Sequence, residues 1–313
     1  MAAFTSKVTF HKGSCQEKTF VVALVQHGEN FIVIVETTPF HPRDYRFCDQ
    51  PQDRGYIEDV QGKRYPLADV VFVGISPEGI FSVDEEIPVK KNEPGWYFCV
   101  GHVIHGDRPT LSSKSPITLQ VDETNRSALS RAHSAAHMMA LSLNRTLAPL
   151  WLEESPCPDA LDAPDFDHVT LESSSVSPMH CRDVYRIGKS LRKKGFAGDS
   201  LKADLKRHED ELNALIEKWL LEDVPVVVRA DGDDLTSFRS FCTRIEGRSV
   251  EIPCGGTHVR SLREIGNVLV RLSMPDDTTL QADTFVREGK SVNVRFADAV
   301  ARITEIESTT EVT

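Results

Sequence analysis

The chain has 313 residues, 40% of them hydrophobic and 27% charged, with a formal net charge of −11. That length suggests about two domains, since one hydrophobic core serves on the order of 100 to 200 residues. The acidic balance excludes a protein that coats nucleic acid non-specifically, so no DNA partner is expected and any RNA contact has to be local. No apolar run is long enough to span a bilayer, and the N-terminal stretch Met1-Ala2-Ala3-Phe4-Thr5-Ser6-Lys7 lacks the apolar core of a secretory signal. The seven cysteines are scattered and include no Cys-x-x-Cys pair, which does not make a disulfide framework. A cytoplasmic protein with no membrane partner is the expectation.

In chain order, the first elements are short apolar runs separated by turn signals. Phe20-Val21-Val22-Ala23-Leu24-Val25 and Phe31-Ile32-Val33-Ile34-Val35 flank His27-Gly28-Glu29-Asn30 and predict a hairpin. Val70 to Ile75, Trp96 to Val100 and Ile117 to Val121 continue the pattern. Closely spaced strands without helical periods predict a small β-barrel over residues 1–121.

After Asp122 the period changes. Leu129, His133, Ala136, His137, Ala140 and Leu141 recur at intervals of three and four, which places them on one helical face. Residues 151–177, rich in Pro, Asp, Glu and Ser, have no clean period and predict a loop or insertion outside the core. A second helix is expected from about Ser200, with Leu201, Leu205, Leu212, Leu215, Ile216 and Trp219 as its stripe, ending before Pro225. Val226 to Val228, Val250 to Ile252, Val268 to Leu272 and Val292 to Phe296 read as strands of a second sheet.

Residues four apart on a helix sit one turn above each other, so the imidazoles of His133 and His137 can converge on one ion. Cys254-Gly255-Gly256-Thr257-His258 offers a thiolate and a third imidazole across two glycines that allow a tight bend. Either half alone is more often ordinary core or surface residues. Together they form a His₃Cys set whose nitrogen and sulfur donors suit zinc, one ion per chain. Four protein ligands normally make a closed structural site, and composition does not decide between that and catalysis. Residues 134–136 are Ser, Ala and Ala, so the His-Glu-x-x-His arrangement of metalloproteases is absent.

These motifs resemble the alanyl-tRNA editing proteins of the AlaX family, free-standing relatives of the editing part of alanyl- and threonyl-tRNA synthetases. His133-Ser134-Ala135-Ala136-His137 resembles the family's His-x-x-x-His helix, and Cys254-Gly255-Gly256-Thr257-His258-Val259, followed by Glu264-Ile265-Gly266, its Cys-x-x-x-His motif. Glu211 to Ile216 with Val224-Pro225-Val226 resembles the helix leading into an editing-domain strand. Glu36 to Pro42 and Gln50 to Gly55 resemble a strand and loop of the barrel. The resemblance implies an α+β fold, with the N-terminal barrel followed by a two-layer α/β editing (SAD-type) domain over 122–313 that carries an insertion at about 150–195. It implies hydrolysis of serine, and in some relatives glycine, from mischarged alanine tRNA. Thr38 aligns with a position near the aminoacyl group and Gln50 with the glutamine that ends a glycine-rich loop, giving both a substrate-recognition role. With no class II synthetase segment before the barrel, aminoacylation is not predicted.

The chain departs from the family where Arg43-Asp44-Tyr45-Arg46-Phe47-Cys48-Asp49 replaces the consecutive glycines before Gln50, which alters the backbone's approach to substrate. For tRNA contact the densest basic run includes Arg192, Lys193, Lys194, Lys202 and Lys206, a local patch that would guide an acceptor end; a solvated helix face is the plainer meaning. Two other functional classes stay open: a zinc hydrolase of another aminoacyl-tRNA or small ester, and a non-catalytic tRNA-binding module with structural zinc.

Overall fold

A computed structural model describes residues 4–46, 49–152 and 157–289. Ten strands come first: β1 (Lys7–Val8), β2 (Gln16–His27), β3 (Asn30–Val35), β4 (Thr37–Thr38), β5 (Gly55–Asp59), β6 (Arg64–Pro66), β7 (Asp69–Ile75), β8 (Phe81–Val83), β9 (Tyr97–His105) and β10 (Pro116–Val121). Then follow α1 (Glu123–Leu147), α2 (Phe166–Thr170), β11 (Leu171–Ser177), β12 (His180–Arg186), α3 (Lys189–Lys193), α4 (Gly198–Ala203) and α5 (Leu205–Leu220). The described chain closes with β13 (Val227–Ala230), β14 (Arg239–Ile245), β15 (Arg248–Pro253), β16 (Asn267–Asp276) and β17 (Thr279–Arg287). The class is α+β. Among the described residues no helix is long and apolar enough to cross a membrane.

Two compact units emerge. One comprises Met1–Ser130, Val227–Cys242 and Glu251–His258, the other Arg131–Val226, Thr243–Val250 and Val259–Thr313. The first unit's N-terminal part runs to Ser130, within α1, and the unit also includes two later segments.

In the first unit, eight strands pair in the order β6-β5-β10-β2-β3-β9-β7-β8. The order is linear, with β6 and β8 at its edges among the described residues. The predicted hairpin is present: His27 pairs with Asn30 across Gly28-Glu29, and Gly28 takes the left-handed conformation (φ +59°) that such a turn needs. β2 does double duty. Residues 16–20 pair with β10 and residues 21–27 with β3, with a register shift between Val21 and Ala23. Such a bulge lets one strand turn a corner and serve two directions of sheet. The strands bury both faces. Val33, Val35, Val70, Phe72, Phe98 and Val100 join one cluster, while their alternate neighbours Ile32, Ile34, Val71, Val73 and Cys99 join another. The continuous apolar runs of the sequence are therefore strands with two dry faces.

In the second unit, β11, β12, β17 and β16 form a four-stranded antiparallel sheet in that order. This corrects the reading of residues 151–177 as a loop outside the core, since α2 and β11 lie within them. β11 and β12 are half of the sheet, and Phe166, Val176, Cys181, Tyr185, Leu191 and Phe196 are buried. β12, which follows, shows no apolar period in the sequence because its buried face alternates Cys181, Asp183 and Tyr185, so a carboxylate stands where an apolar residue would mark the strand. Val292 to Phe296, expected to be a strand, lies outside the described residues.

The helix expected from about Ser200 is divided at Asp204 into α4 and α5; of its predicted stripe Leu201, Leu212, Ile216 and Trp219 are buried, and Leu205 and Leu215 are half-buried. α5 lies against β16. Asn213 bonds both the N–H (2.8 Å) and the carbonyl (2.9 Å) of Val270, and Glu209 accepts from the N–H of Leu272 (2.9 Å) and from Arg271 (2.7 Å). The helix thereby satisfies the open backbone edge of the outer strand β16. α1 differs from expectation in kind. It is capped by Asp122, whose carboxylate accepts from the N–H of Asn125 (3.0 Å). From Leu129 to Leu147 it is buried on nearly every side, and Ala136, His137 and Ala140, which share one helical face, are among its less buried positions. Small and flexible side chains (Ala132, Ser134, Ala135, Met138, Met139) let a helix be surrounded in this way.

Candidate metal centre

Local chemistry sets each half of the centre. On α1 the rings of His133 and His137 stack with centroids 5.2 Å apart, as their spacing of one turn requires. His133 is buried and His137 half-buried. Ser134, the residue between the turns, accepts from the backbone N–H of Val259 (3.2 Å), just past His258. The second half leaves β15 at Pro253 and continues through Cys254 to His258, whose Nε2 lies 3.2 Å from Cys254 Sγ. Phe241 presents its ring edge to the His258 imidazole at 4.9 Å.

His133, His137, Cys254 and His258 each offer one ligand atom, and those four atoms all lie within 4.8 Å of one another. Around a tetrahedral zinc, bonds of about 2.0 to 2.3 Å put neighbouring ligand atoms about 3.4 to 3.7 Å apart, so the donors need only a small inward adjustment to share an ion. Thiolate with three imidazoles suits a borderline-soft cation and disfavours magnesium or calcium. Burial, reinforced by the negative charge of Asp49, pushes the Cys254 thiol up to about 12. Without a cation the sulfur therefore keeps its proton at neutral pH, and a metal must displace it.

The loop before β5 is fastened to this second half. Gln50, fully buried, donates from Nε2 to Thr257 Oγ1 (2.9 Å) and accepts from the Thr257 N–H at Oε1 (2.9 Å), while Ser130 also donates to Thr257 Oγ1 (2.9 Å). The structure thus brings Gln50 to the Cys254–His258 loop. It gives Thr38 different company: His102 Nε2 at 2.9 Å and the N–H of Phe40 at 3.1 Å, with Thr38 and His102 both fully buried.

Sequence reasoning missed three groups. Thr257 is the hub between Gln50 and the ligand loop, and its position inside Cys-Gly-Gly-Thr-His was the available signal. Asp53 and Arg126 form a buried ion pair, Arg126 Nε donating to Asp53 Oδ1 at 2.7 Å and its other nitrogen to Oδ2. Asp53 also accepts from the His41 N–H (2.5 Å), and Arg126 donates to the Pro39 carbonyl (2.8 Å), so the pair clamps the loop from Pro39 to Asp53 onto the start of α1. His102 is the third, an imidazole in the middle of an otherwise apolar strand. It stays uncharged at neutral pH because burial pushes it down to about 4, against the opposing hydrogen bond to Val33.

The basic residues considered for tRNA are partly spoken for. Arg192 pairs with Asp199 (3.3 Å), Lys202 with Asp277, and Lys206 with Glu209 (2.9 Å) and Asp210 (2.6 Å). Lys193 and Lys194, at the end of α3, are exposed, and among the described residues neither pairs with a carboxylate. In the altered loop, Arg43 pairs with the buried Asp84 (2.9 Å) and Arg46 donates to the Val89 carbonyl (2.7 Å), which ties both to their own unit. Phe47 and Cys48 lie outside the described residues.

No protein-family model matches the chain. It is similar to alanine–tRNA ligases: 27% identical over 246 residues to that of Thermotoga sp. (strain RQ2), covering 75% of this chain and 22% of the ligase. The ligase of Chloroflexus aurantiacus is 26% identical over 251 residues, covering 78% of this chain and 24% of the ligase. That of Thermotoga maritima is 27% identical over 169 residues, covering 50% and 16%. The matched region thus spans about a quarter or less of the length of these curated relatives.

Proposed function

We propose that this chain is an aminoacyl-tRNA hydrolase of the AlaX kind, clearing a wrong amino acid, serine first and, as in some relatives, glycine, from alanine tRNA in the cytoplasm with a zinc ion held by His133, His137, Cys254 and His258. One observation carries the reading: a His₃Cys donor set converges within 4.8 Å in a chain whose relatives are alanine–tRNA ligases. In this reading residues 1–121 are the N-terminal barrel domain of such hydrolases, and the second unit carries the editing layer of helix on sheet.

The chemistry asked of the protein is modest. An activated carboxylic ester needs a placed water and stabilisation of the oxyanion, and a bound cation supplies positive charge for that or for holding the substrate. The chain's own residues do the positioning. Ser130 and Thr257 hold the Gln50 amide in one orientation, and the ion pair of Asp53 with Arg126 holds the loop that carries it. Thr38 binds the side chain of the amino acid to be removed. Lys193 and Lys194 meet the tRNA backbone, where two uncommitted cations add affinity without making an acidic protein promiscuous.

The test is deacylation of seryl-, glycyl- and alanyl-tRNA on the alanine acceptor by wild type and Cys254→Ala, at equal folded concentration and with metal content measured. Release of serine or glycine by wild type, lost in Cys254→Ala with its metal, supports the reading. Zinc-loaded wild type that releases neither refutes it, and tRNA binding without turnover would then make the chain a binding module.

A further inference from the structure

In a chain of net charge −11, RNA is held where cations are left uncommitted beside a surface that fits it. The first unit offers such a place at the β6 edge of its sheet. A cavity of about 420 Å³ opens between two walls, one within residues 63–68 and the other within residues 104–109. The walls are tied at one end by the Ala68 N–H, which donates to the Val103 carbonyl (2.8 Å), and at the other by the hydroxyls of Tyr65 and Thr110 (2.7 Å). Lys63 and Arg64 stand on the first wall and Arg108 on the second, all exposed. Lys63 leaves a turn fixed by Asp59, whose Oδ1 accepts from the N–H groups of Gln61 and Lys63 (both 2.9 Å), and its Nζ lies 4.9 Å from the centre of the Tyr65 ring. Arg64 lies over the Tyr56 ring (4.6 Å) and donates to Glu58 (2.7 Å), so its charge is answered. Its backbone is not. Lys63 and Leu67 bond β5 through Asp59 and Gly55 (3.0 Å each), which in an antiparallel pair turns the Arg64 N–H away from β5 to the open edge. Among the described residues neither Lys63 nor Arg108 pairs with a carboxylate, and Asp107 is the one acidic residue lining the cavity.

We propose that this groove is a contact site for the phosphodiester backbone of tRNA, with Lys63 and Arg108 meeting phosphates from opposite walls and the Arg64 N–H as a further donor. This rests on the reading that tRNA is the partner, and not on which amino acid is released. A polynucleotide suits the groove better than a lone anion. Its cations are spread over both walls instead of gathered at one point, and at about 3.3 Å per residue the wall of residues 63–68 is up to about 16 Å long, which is room for successive phosphates. A backbone N–H at a sheet edge and two flexible cations grip phosphate without reading a base, so the site adds affinity and orientation and leaves the choice of tRNA to other contacts.

The experiment measures binding of uncharged alanine tRNA to the full chain across a range of salt for wild type, Lys63→Ala/Arg108→Ala, Lys63→Arg/Arg108→Lys and Lys90→Ala, an exposed lysine beyond β8 that does not line the groove. Each phosphate contact contributes about 0.7 to 0.9 to the slope of log affinity against log salt, so the double alanine variant should lower the slope by about 1.5. The charge-conserving pair and Lys90→Ala should keep the wild-type slope. Hydrogen exchange in the wild type, which needs no variant to fold, is the second readout: tRNA should slow exchange of the Arg64 N–H. An unchanged slope in the double alanine variant, an equal fall in Lys90→Ala, or Arg64 exchange indifferent to tRNA overturns the groove and leaves the deacylase reading standing. Slowing by inorganic phosphate but not by tRNA makes it a small-anion site and overturns the proposal too. A wild type that binds no tRNA overturns the groove together with the tRNA reading, and is recognised without any variant.

Discussion

Replacing Asp53 by alanine should unfasten the loop that carries Gln50. The wild-type carboxylate accepts two charge-assisted bonds from Arg126 and one from the His41 N–H, all in a place where Asp53 is 2% and Arg126 5% exposed. Asp53→Ala leaves the guanidinium buried with the Pro39 and Ser14 carbonyls and no counter-charge. Removing one partner of a buried pair costs about 3 to 5 kcal/mol, because the other charge stays desolvated. For a cooperative unit of roughly 150 residues that is a fall in Tm of about 10 °C. Thermal unfolding followed by circular dichroism checks it, together with Asp53→Leu/Arg126→Met. The paired replacement removes both charges at once and should regain most of the loss, since apolar substitutes for a buried ion pair are often neutral or better. A drop under about 3 °C in Asp53→Ala, or a double variant no better than the single, would refute the argument that an unpaired buried charge is what destabilises the loop.

Other consequences can be checked separately. Burial raises Asp183 to about 7 and Asp167 to about 6. Their folded values exceed the unfolded ones, so the stability tied to keeping them neutral is fully present below about pH 4 and is lost as pH rises through 6 and 7. Asp183→Asn should therefore gain in Tm relative to wild type between pH 4 and pH 8; a pH-independent difference would contradict the sign. Because the Cys254 thiol is pushed up to about 12, metal binding at neutral pH should release its proton, and apparent zinc affinity in a chelator competition should rise about tenfold per pH unit between pH 7 and 9. Affinity flat with pH would mean that the sulfur is not a ligand. Lys193→Ala/Lys194→Ala should lower the slope of log tRNA affinity against log salt by about 1 to 2, with little change in stability, and an unchanged slope would place the tRNA elsewhere.

Much of this was legible in the chain itself. Local rules suffice for the hairpin at Gly28-Glu29, the helices around His133 and Leu212, and the two pairs of ligands, because turn geometry and the helical period act over four residues. What escaped did so for physical reasons. The strand at His180 to Arg186 buries Asp183 in line with Cys181 and Tyr185, so hydrophobic alternation could not mark it. The buried environment of α1 depends on elements distant in sequence, and its small residues fit an amphipathic helix as well as a surrounded one. Asp53 and Arg126, Gln50 and Thr257, and Thr38 and His102 are 73, 207 and 64 residues apart, and each pair became visible only when the fold closed the distance. The sequence by itself determined which atoms could bind a cation, since donor chemistry and helical spacing are local properties. Tertiary structure alone decided which polar side chains are buried against one another, and hence which protons and charges are fixed, because desolvation is a property of the packed chain and not of any stretch of it.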